Sequence, residues 1–202
     1  MRIGILGGSF DPIHNGHLNM AISAYKEFKL DKVLLMPAAH SPNKDENKMT
    51  SFEDRFEMCK LAAKGYDFLE VSDFENTFDE RSYTYITMTK LKELYPDDDL
   101  YFIMGGDSLD YFEKWVHPEI IASKCTILVI IRENFEIKSM EDKITSIKKL
   151  FPCRIELVNC EKFNVSSSEI RSIIKEETIS SNKLDTLLSK DVRKYISNKK
   201  LY

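Results

Sequence analysis

Two histidines three residues apart, His14 and His17 with Gly16 between them, stand a few positions behind a paired glycine, Gly7-Gly8. At the opening of a helix, this spacing sets both imidazoles on one side of the first turn. The turn also presents backbone N–H groups and the positive end of the helix dipole, which attract phosphate. Imidazoles beside an anion site suit a reaction that develops charge on phosphate oxygens. Gly7 and Gly8 permit close backbone approach by a ligand, and Ser9 and Phe10 continue the same loop. Zinc would need a third ligand, and no neighbouring His, Cys or Glu supplies one. The glycines run Gly4-x-x-Gly7-Gly8, which is not a dinucleotide fingerprint, and no Walker A sequence is present.

A second cluster is Ser166-Ser167-Ser168-Glu169-Ile170-Arg171. Ser166 and Glu169 have the spacing of a capping box, and Ile170, Ile173 and Ile174 give the helix that follows a buried face. Ser167 and Arg171 then share the opposite face one turn apart. A hydroxyl, free amides and a guanidinium at a helix N-terminus make a cradle for polyphosphate. By itself the hexapeptide reads first as a serine-rich cap followed by a solvated arginine. Three further features lie in the middle of the chain. Ser82, Tyr83 and Thr84 precede a helix, where hydroxyls and amides can accept a small carboxylate or phosphate. Gly106 and Asp107 follow a strand, with Asp107 suited to a ribose hydroxyl or a metal, and Trp115 offers a face to an aromatic ring. Their plainer readings are N-caps for Ser82, Thr84 and Asp107, and core packing for Trp115.

These residues need a scaffold, and the hydrophobic pattern supplies one. Short apolar runs at 3–6, 33–36, 68–71, 101–104, 126–131 and 155–158 alternate with helical patterns, the mark of βαβ units. Leu18, Ala21, Ile22, Tyr25 and Phe28 form one helical stripe. Thr50-Ser51-Phe52-Glu53 reads as a capping box opening a second helix, which Gly65 ends. Met88, Leu91, Leu94 and Tyr95 mark a third helix before Pro96, and Ile144, Ile147 and Leu150 a fourth before Pro152. Leu187, Leu188, Val192, Tyr195 and Ile196 suggest a terminal helix pair. The expected fold is a doubly wound, mainly parallel α/β sheet with helices on both faces and a small helical C-terminal tail. In such sheets ligands bind at the carboxyl ends of the strands where the strand order reverses. An order 3-2-1-4-5 would place the loops after strands 1 and 4 at that point.

The 202 residues fit a single domain, with a terminal helical segment at about 167–202 packed on it. A net charge of −4 argues against a nucleic-acid partner, for which a strong basic excess is expected. The aliphatic run 127–131 is far too short to cross a bilayer, and the first residues lack the apolar stretch of a signal peptide. Four scattered cysteines with no Cys-x-x-Cys read as reduced cytoplasmic thiols.

Gly8-Ser9-Phe10-Asp11-Pro12-Ile13-His14-Asn15-Gly16-His17 resembles the signature of the nucleotidyltransferase superfamily with a His-x-Gly-His motif. The distal cluster resembles that superfamily's Ser-Ser-Thr/Ser-x-Ile-Arg element, with Ser168 where threonine is frequent. Adding Met36-Pro37-Ala38, Lys44, Arg55, Met58, the Ser82-Tyr83-Thr84 element, Gly106-Asp107, Trp115 and Leu201-Tyr202, the resemblance extends to the bacterial nicotinate-nucleotide adenylyltransferases along essentially the whole chain. Phosphopantetheine adenylyltransferases share the two phosphate motifs but are shorter and lack the Ser-Tyr-Thr and Trp115 context. The family commonly shows Pro-Pro-His-Lys where this chain has Ser41-Pro42-Asn43-Lys44, and the displaced His40 is not taken as a substitute.

The resemblance implies a Rossmann-like fold and adenylyl transfer from ATP to nicotinate mononucleotide, giving deamido-NAD and pyrophosphate in NAD biosynthesis. It implies His14, His17, Arg171 and Lys44 as catalytic residues. Gly7, Gly8, Ser9, Phe10, Ser166, Ser167 and Ser168 join His14, His17 and Arg171 around ATP. Ser82, Tyr83, Thr84, Gly106, Asp107 and Trp115 would bind the acceptor. Magnesium would arrive with ATP, with no metal held by the protein alone. The partners are then small molecules, with neither nucleic acid nor membrane, and self-association into a homo-oligomer stays open. The rivals are the same chemistry on nicotinamide mononucleotide or another phosphorylated acceptor, a silent nucleotide sensor, and an oxidoreductase using Asp31 for ribose. Intact His14, His17 and Arg171 oppose the sensor, and the glycine spacing opposes the oxidoreductase.

Overall fold

The computed structural model describes all residues except 41–48, 79–80, 132–136, 162, 164 and 177–180. Strand β1 (Arg2–Gly8) lies between β2 (Lys32–Pro37) and β4 (Asp99–Gly105). With β3 (Leu69–Val71), β5 (Thr126–Ile131) and β6 (Arg154–Asn159) they form a sheet ordered β3-β2-β1-β4-β5-β6. Every pairing is parallel, with Ile3 beside Lys32 on one side and Leu100 on the other. The order reverses between β1 and β4, as the sequence pattern anticipates, and β6 extends the far edge.

The connecting helices are α1 (Asn15–Phe28), α2 (Phe52–Ala63), α3 (Thr84–Leu94), the single turn α4 (Gly106–Leu109), α5 (Pro118–Lys124) and α6 (Ile137–Leu150). The helices α7 (Ser167–Lys175), α8 (Ser181–Leu187) and α9 (Lys190–Lys199) follow β6. Successive strand side chains point to opposite faces, and both faces are covered, so the strands are almost continuously apolar. Leu6, Val33, Leu35, Ile103 and Leu128 share one core with residues of α1, α2, α7 and α9. Ile3, Ile5, Leu34, Phe102 and Val129 share the other with residues of α3, α5 and α6. Each fully buried aliphatic side chain in these layers contributes roughly 1.5–3 kcal/mol.

The α2 start differs from expectation by one residue: Ser51, not Thr50, is the cap, its hydroxyl accepting from the Asp54 N–H at 3.1 Å. Gly65 follows α2 with φ +92°, a left-handed conformation that glycine adopts without strain. Leu94 and Leu150, expected in buried stripes, are 56% and 65% exposed. Each is the last residue of its helix, where the stripe has run past the edge of the sheet. The tail packs back on the body. Val192 and Ile196 are buried, and the Tyr195 hydroxyl donates to Asp54 Oδ1 at 2.7 Å.

Candidate active site

The loop from β1 to α1 is drawn tightly against the molecule. Phe10 takes φ 46° and buries its ring, whose edge meets the His17 ring at a centroid distance of 5.0 Å. His14, at the N-cap of α1, is buried, and its ring stacks on that of His17 with centroids 3.7 Å apart. The His14 N–H donates to His17 Nδ1 at 3.2 Å, so a neutral His17 carries its proton on Nε2 and presents a donor there. Gly16 makes this stack possible. A Cβ at that position would lie 2.8 Å from Phe163 Cδ1 and 2.9 Å from His14 Nδ1.

The distal cluster arrives at the same loop. Ser166 caps α7, its hydroxyl accepting from the Glu169 N–H at 3.1 Å, as its spacing anticipates. The Ser167 hydroxyl donates to the Pro12 carbonyl at 2.9 Å, and Arg171 Nη1 donates to the Asp11 carbonyl at 2.6 Å. Arg171 Nη2 donates to the Ser168 hydroxyl at 3.2 Å. The N-terminus of α7 therefore sits beside the opening of α1, and two helix ends with their amides share one anion-attracting region. The Ser167 hydroxyl is engaged with the protein itself, a detail its spacing does not foretell.

Three residues that the sequence resemblance includes without giving them a role hold this loop. Arg55 is buried and donates from Nη1 to the Ser9 carbonyl at 2.8 Å and from Nε to the Thr50 carbonyl at 3.0 Å. Burial pulls the Arg55 guanidinium below its usual range, and the nearby Asp11 opposes that. The Tyr202 hydroxyl donates to Asp11 Oδ1 at 2.7 Å, and burial pushes that phenol well above its ordinary value. The third, Asp11 itself, is buried. Nothing in the local pattern around Arg55 or Tyr202 marks these contacts, which join residues far apart in the chain.

Across the switch point, Gly7, Gly8 and Ser9 face a cavity of about 170 Å³ whose walls include Glu75, Ser82, Thr84, Phe102 and Trp115. A neighbouring cavity of about 190 Å³ shares Ser82, Thr84 and Trp115 and adds Tyr83 and Lys114. A Cβ on Gly7 would meet nothing within 4 Å, so its backbone borders open space. Tyr83 is the N-cap of α3, so neither Ser82 nor Thr84 is the capping residue of the plainer reading. Trp115 lies edge-on to Phe102 and Phe112, with centroids at 6.1 and 5.6 Å, and lines both cavities. Gly106 is buried and Asp107 exposed at the start of α4, and neither is among the lining residues of these cavities. Lys44 lies outside the described residues. A larger cavity, about 600 Å³, opens at the opposite end of the sheet, beside the strand starts at Asp99, Thr126 and Arg154. It is remote from the clustered imidazoles, guanidinium and helix ends, and chemistry in this architecture belongs to the carboxyl ends of strands.

The profile of the cytidylyltransferase-like family matches residues 5–173. A protein of Lachnoclostridium phytofermentans, curated as a probable nicotinate-nucleotide adenylyltransferase, is 34% identical over 195 residues, 96% of each chain. One of the same name from Rhodopirellula baltica is 40% identical over 177 residues, covering 85% of this chain and 81% of its own. A Plasmodium falciparum nicotinic acid mononucleotide adenylyltransferase, solved in complex with NaAD, superposes with a TM-score of 0.79 at 25% identity. That superposition covers 99% of this chain and 96% of the other.

Proposed function

The chain belongs to the cytidylyltransferase-like nucleotidyltransferases, and among them to the nicotinate-nucleotide adenylyltransferases; on that premise we propose that it transfers the adenylyl group of ATP to nicotinate mononucleotide. One observation carries the reading. The opening of α1, with its stacked histidines, and the opening of α7, with Arg171, meet at one loop whose other border is a cavity of the size and lining for a ring.

In this reading, an oxygen of the acceptor's 5′-phosphate attacks the α-phosphorus of ATP. The bond from that phosphorus to the β-phosphate oxygen breaks, and pyrophosphate leaves. No covalent enzyme intermediate is needed, so the protein aligns the reactants and neutralises charge. His14 and His17 face the reacting phosphates, with His17 Nε2 as a donor. The amides opening α7 and the Arg171 guanidinium take the β- and γ-phosphates, two of that side chain's five N–H donors being enough to fix it on Asp11 and Ser168. Gly7, Gly8, Ser9 and Phe10 border the nucleotide. Lys44 joins the same region through its place in the motif. On the acceptor side, Tyr83 and Thr84 at the head of α3 receive the carboxylate and Trp115 lies along the ring. Ser82 fixes the wall behind them, and Gly106 and Asp107 reach the ribose.

Magnesium enters as part of the ATP complex. The groups gathered at the phosphate region are amides, imidazoles, hydroxyls and a guanidinium, a set that binds anions and leaves the ion to phosphate oxygens and water. The reaction is a cytoplasmic step of NAD biosynthesis carried by one unit spanning 1–202. No described helix is long and apolar enough to cross a membrane.

The test is pyrophosphate release from ATP and magnesium with nicotinate mononucleotide, nicotinamide mononucleotide or phosphopantetheine supplied separately. Fast release with the first, with deamido-NAD among the products, is the expected result. Release with only one of the others would keep the phosphate site and discard the roles given to Thr84 and Trp115. ATP binding with no release from any acceptor would mark a silent sensor.

A further inference from the structure

Glu75, in the 3-10 turn Phe74–Thr77, is 7% exposed and is the one acidic side chain among the described residues lining the cavity beside Gly7, Gly8 and Trp115. An ionised carboxylate is costly to desolvate unless it is fully hydrogen-bonded. Here three donors reach it: the Thr87 hydroxyl at 2.7 Å, the Ser82 hydroxyl and the Ala39 N–H. The Ala39 N–H can only donate, and the Ser82 hydroxyl already accepts from the His40 N–H at 3.1 Å. The Ala39 N–H therefore turns its proton toward Glu75, and a carboxylate can accept from all three groups at once. Burial lifts the Glu75 carboxyl above its ordinary value, and these donors offset only part of that rise. The three donors come from the segment after β2, the residue ahead of α3's cap, and α3 itself, so one side chain ties together three sides of the pocket.

The acceptor assigned above has two opposite charges on its base. N-ribosylation of the pyridine nitrogen makes the ring cationic, while the 3-carboxylate is anionic. Amides at the head of α3 suit the carboxylate, and the faces of Trp115 and Phe102 suit a cationic ring. We propose that Glu75 is an acceptor-specificity residue: its buried carboxylate fixes the wall formed by residues 39, 82 and 87 and supplies the fixed negative charge that selects a cationic, N-ribosylated pyridine ring. This rests on the acceptor assignment, and it reaches beyond stacking and carboxylate recognition to the charge of the ring itself.

The ring charge can be removed without touching the carboxylate or the phosphate, by reducing nicotinate mononucleotide to its 1,4-dihydro form. Dissociation constants for the oxidised and dihydro nucleotides, and for ATP, are measured with wild type, Glu75→Gln and Glu75→Asp. A fixed charge several ångströms away in a partly screened site favours the cationic ring by on the order of tenfold in the wild type. Glu75→Gln, which keeps shape but not charge, erases most of that preference and leaves ATP affinity within about twofold, since ATP sits across the switch point. Glu75→Asp keeps the preference while weakening both nucleotides through the altered wall. A purely architectural Glu75 would weaken both forms equally in Glu75→Gln and leave their ratio as in the wild type, which overturns the proposal. So does a wild type that binds both forms equally. A wild type that binds ATP but neither nucleotide overturns the acceptor assignment, and this proposal with it.

Discussion

Between His14 and Phe163 there is space for a hydrogen atom at position 16 and no more. In an ordinary helix Gly→Ala would be favourable by about 1 kcal/mol. At Gly16 the new methyl would press on two rings; yielding by the half-buried Phe163 leaves contacts of 2.9 and 3.0 Å to the His14 ring, and relieving those turns that imidazole out of its stack on His17. Gly16→Ala is therefore expected to cost turnover rather than the fold. A displacement of about 1 Å near reacting groups lowers rate by about 100-fold, close to the roughly 10²–10³-fold expected for losing the donor in His17→Ala. Steady-state kinetics alongside thermal melting separate the two effects, and near-normal kcat/KM in either variant would remove the histidine pair from the chemistry. The candidate site is legible in the sequence to the extent that its chemistry sits in contiguous runs. His14, Gly16 and His17 announce themselves, as do Ser166, Ser167 and Arg171. Asp11 stands within the first motif, yet its partner Tyr202 is 191 residues away. Glu75, in the polar run Asp73-Phe74-Glu75-Asn76-Thr77, reads as an exposed charge until the fold closes Ser82 and Thr87 over it.

At the scale of elements, the strands are readable because burial on both faces leaves near-continuous apolar runs, and the expected bounds of β5 coincide with those observed. Helix ends are less so, because several side chains compete to cap. Thr50 and Ser51 are both competent, and the choice of Ser51 follows from Asp54, whose Oδ2 receives the Ser51 hydroxyl at 2.9 Å while its Oδ1 receives Tyr195 from α9. Asp54 thus joins α2's cap to the tail. The Tyr195 hydroxyl, with Ser51 and Lys199, holds the Asp54 carboxyl below its ordinary value against some burial. Burial and then the bond to Asp54 push Tyr195 up to about 12. A lowered carboxyl contributes stability that is complete above the ordinary carboxylate range and fades as pH falls through its folded value. A raised phenol contributes below its ordinary value of about 10 and fades as pH rises toward 12. The clasp is thus complete from about pH 5 to 9 and weakens on both sides. Solvent screening limits its worth to about 0.5–1 kcal/mol. Tyr195→Phe is expected to melt about 1–4 °C below wild type in mid-range, with the gap narrowing as pH falls below the ordinary carboxylate range. A gap of the same size at pH 3 and pH 7 would mean that packing of the ring, not the hydrogen bond to Asp54, is what α9 contributes.

Over the whole molecule, the phosphate site is assembled from segments that enter the sheet at its centre and leave it at its edge. The β1–α1 loop is local to the first strand, whereas α7 comes after the sixth, and hydrogen bonds from Ser167 to Pro12 and from Arg171 to Asp11 join them. A triphosphate bound across both helix ends would add a bridge where the protein has two hydrogen bonds, so ligand binding and the docking of the C-terminal helices should be coupled. At ATP concentrations of about 100 times Kd, binding to the folded state alone adds about 2.7 kcal/mol, or about 5–10 °C in Tm for a chain of this length. Arg171→Ala should act twice. The unliganded protein loses the contact to the Asp11 carbonyl and melts a few degrees lower. At the same ATP concentration the ligand-induced rise shrinks by about half, because a tenfold weaker Kd leaves only about 1.4 kcal/mol. The rise produced by nicotinate mononucleotide alone should persist, since its cavity lies on the other side of β1. Differential scanning fluorimetry with each ligand reads all three quantities. An unchanged ATP-induced rise in Arg171→Ala would mean that α7 docks on the loop for stability alone and that the triphosphate is held elsewhere. A loss of both ligands' effects would instead place Arg171 as a keystone of the loop, felt on both sides of the strand.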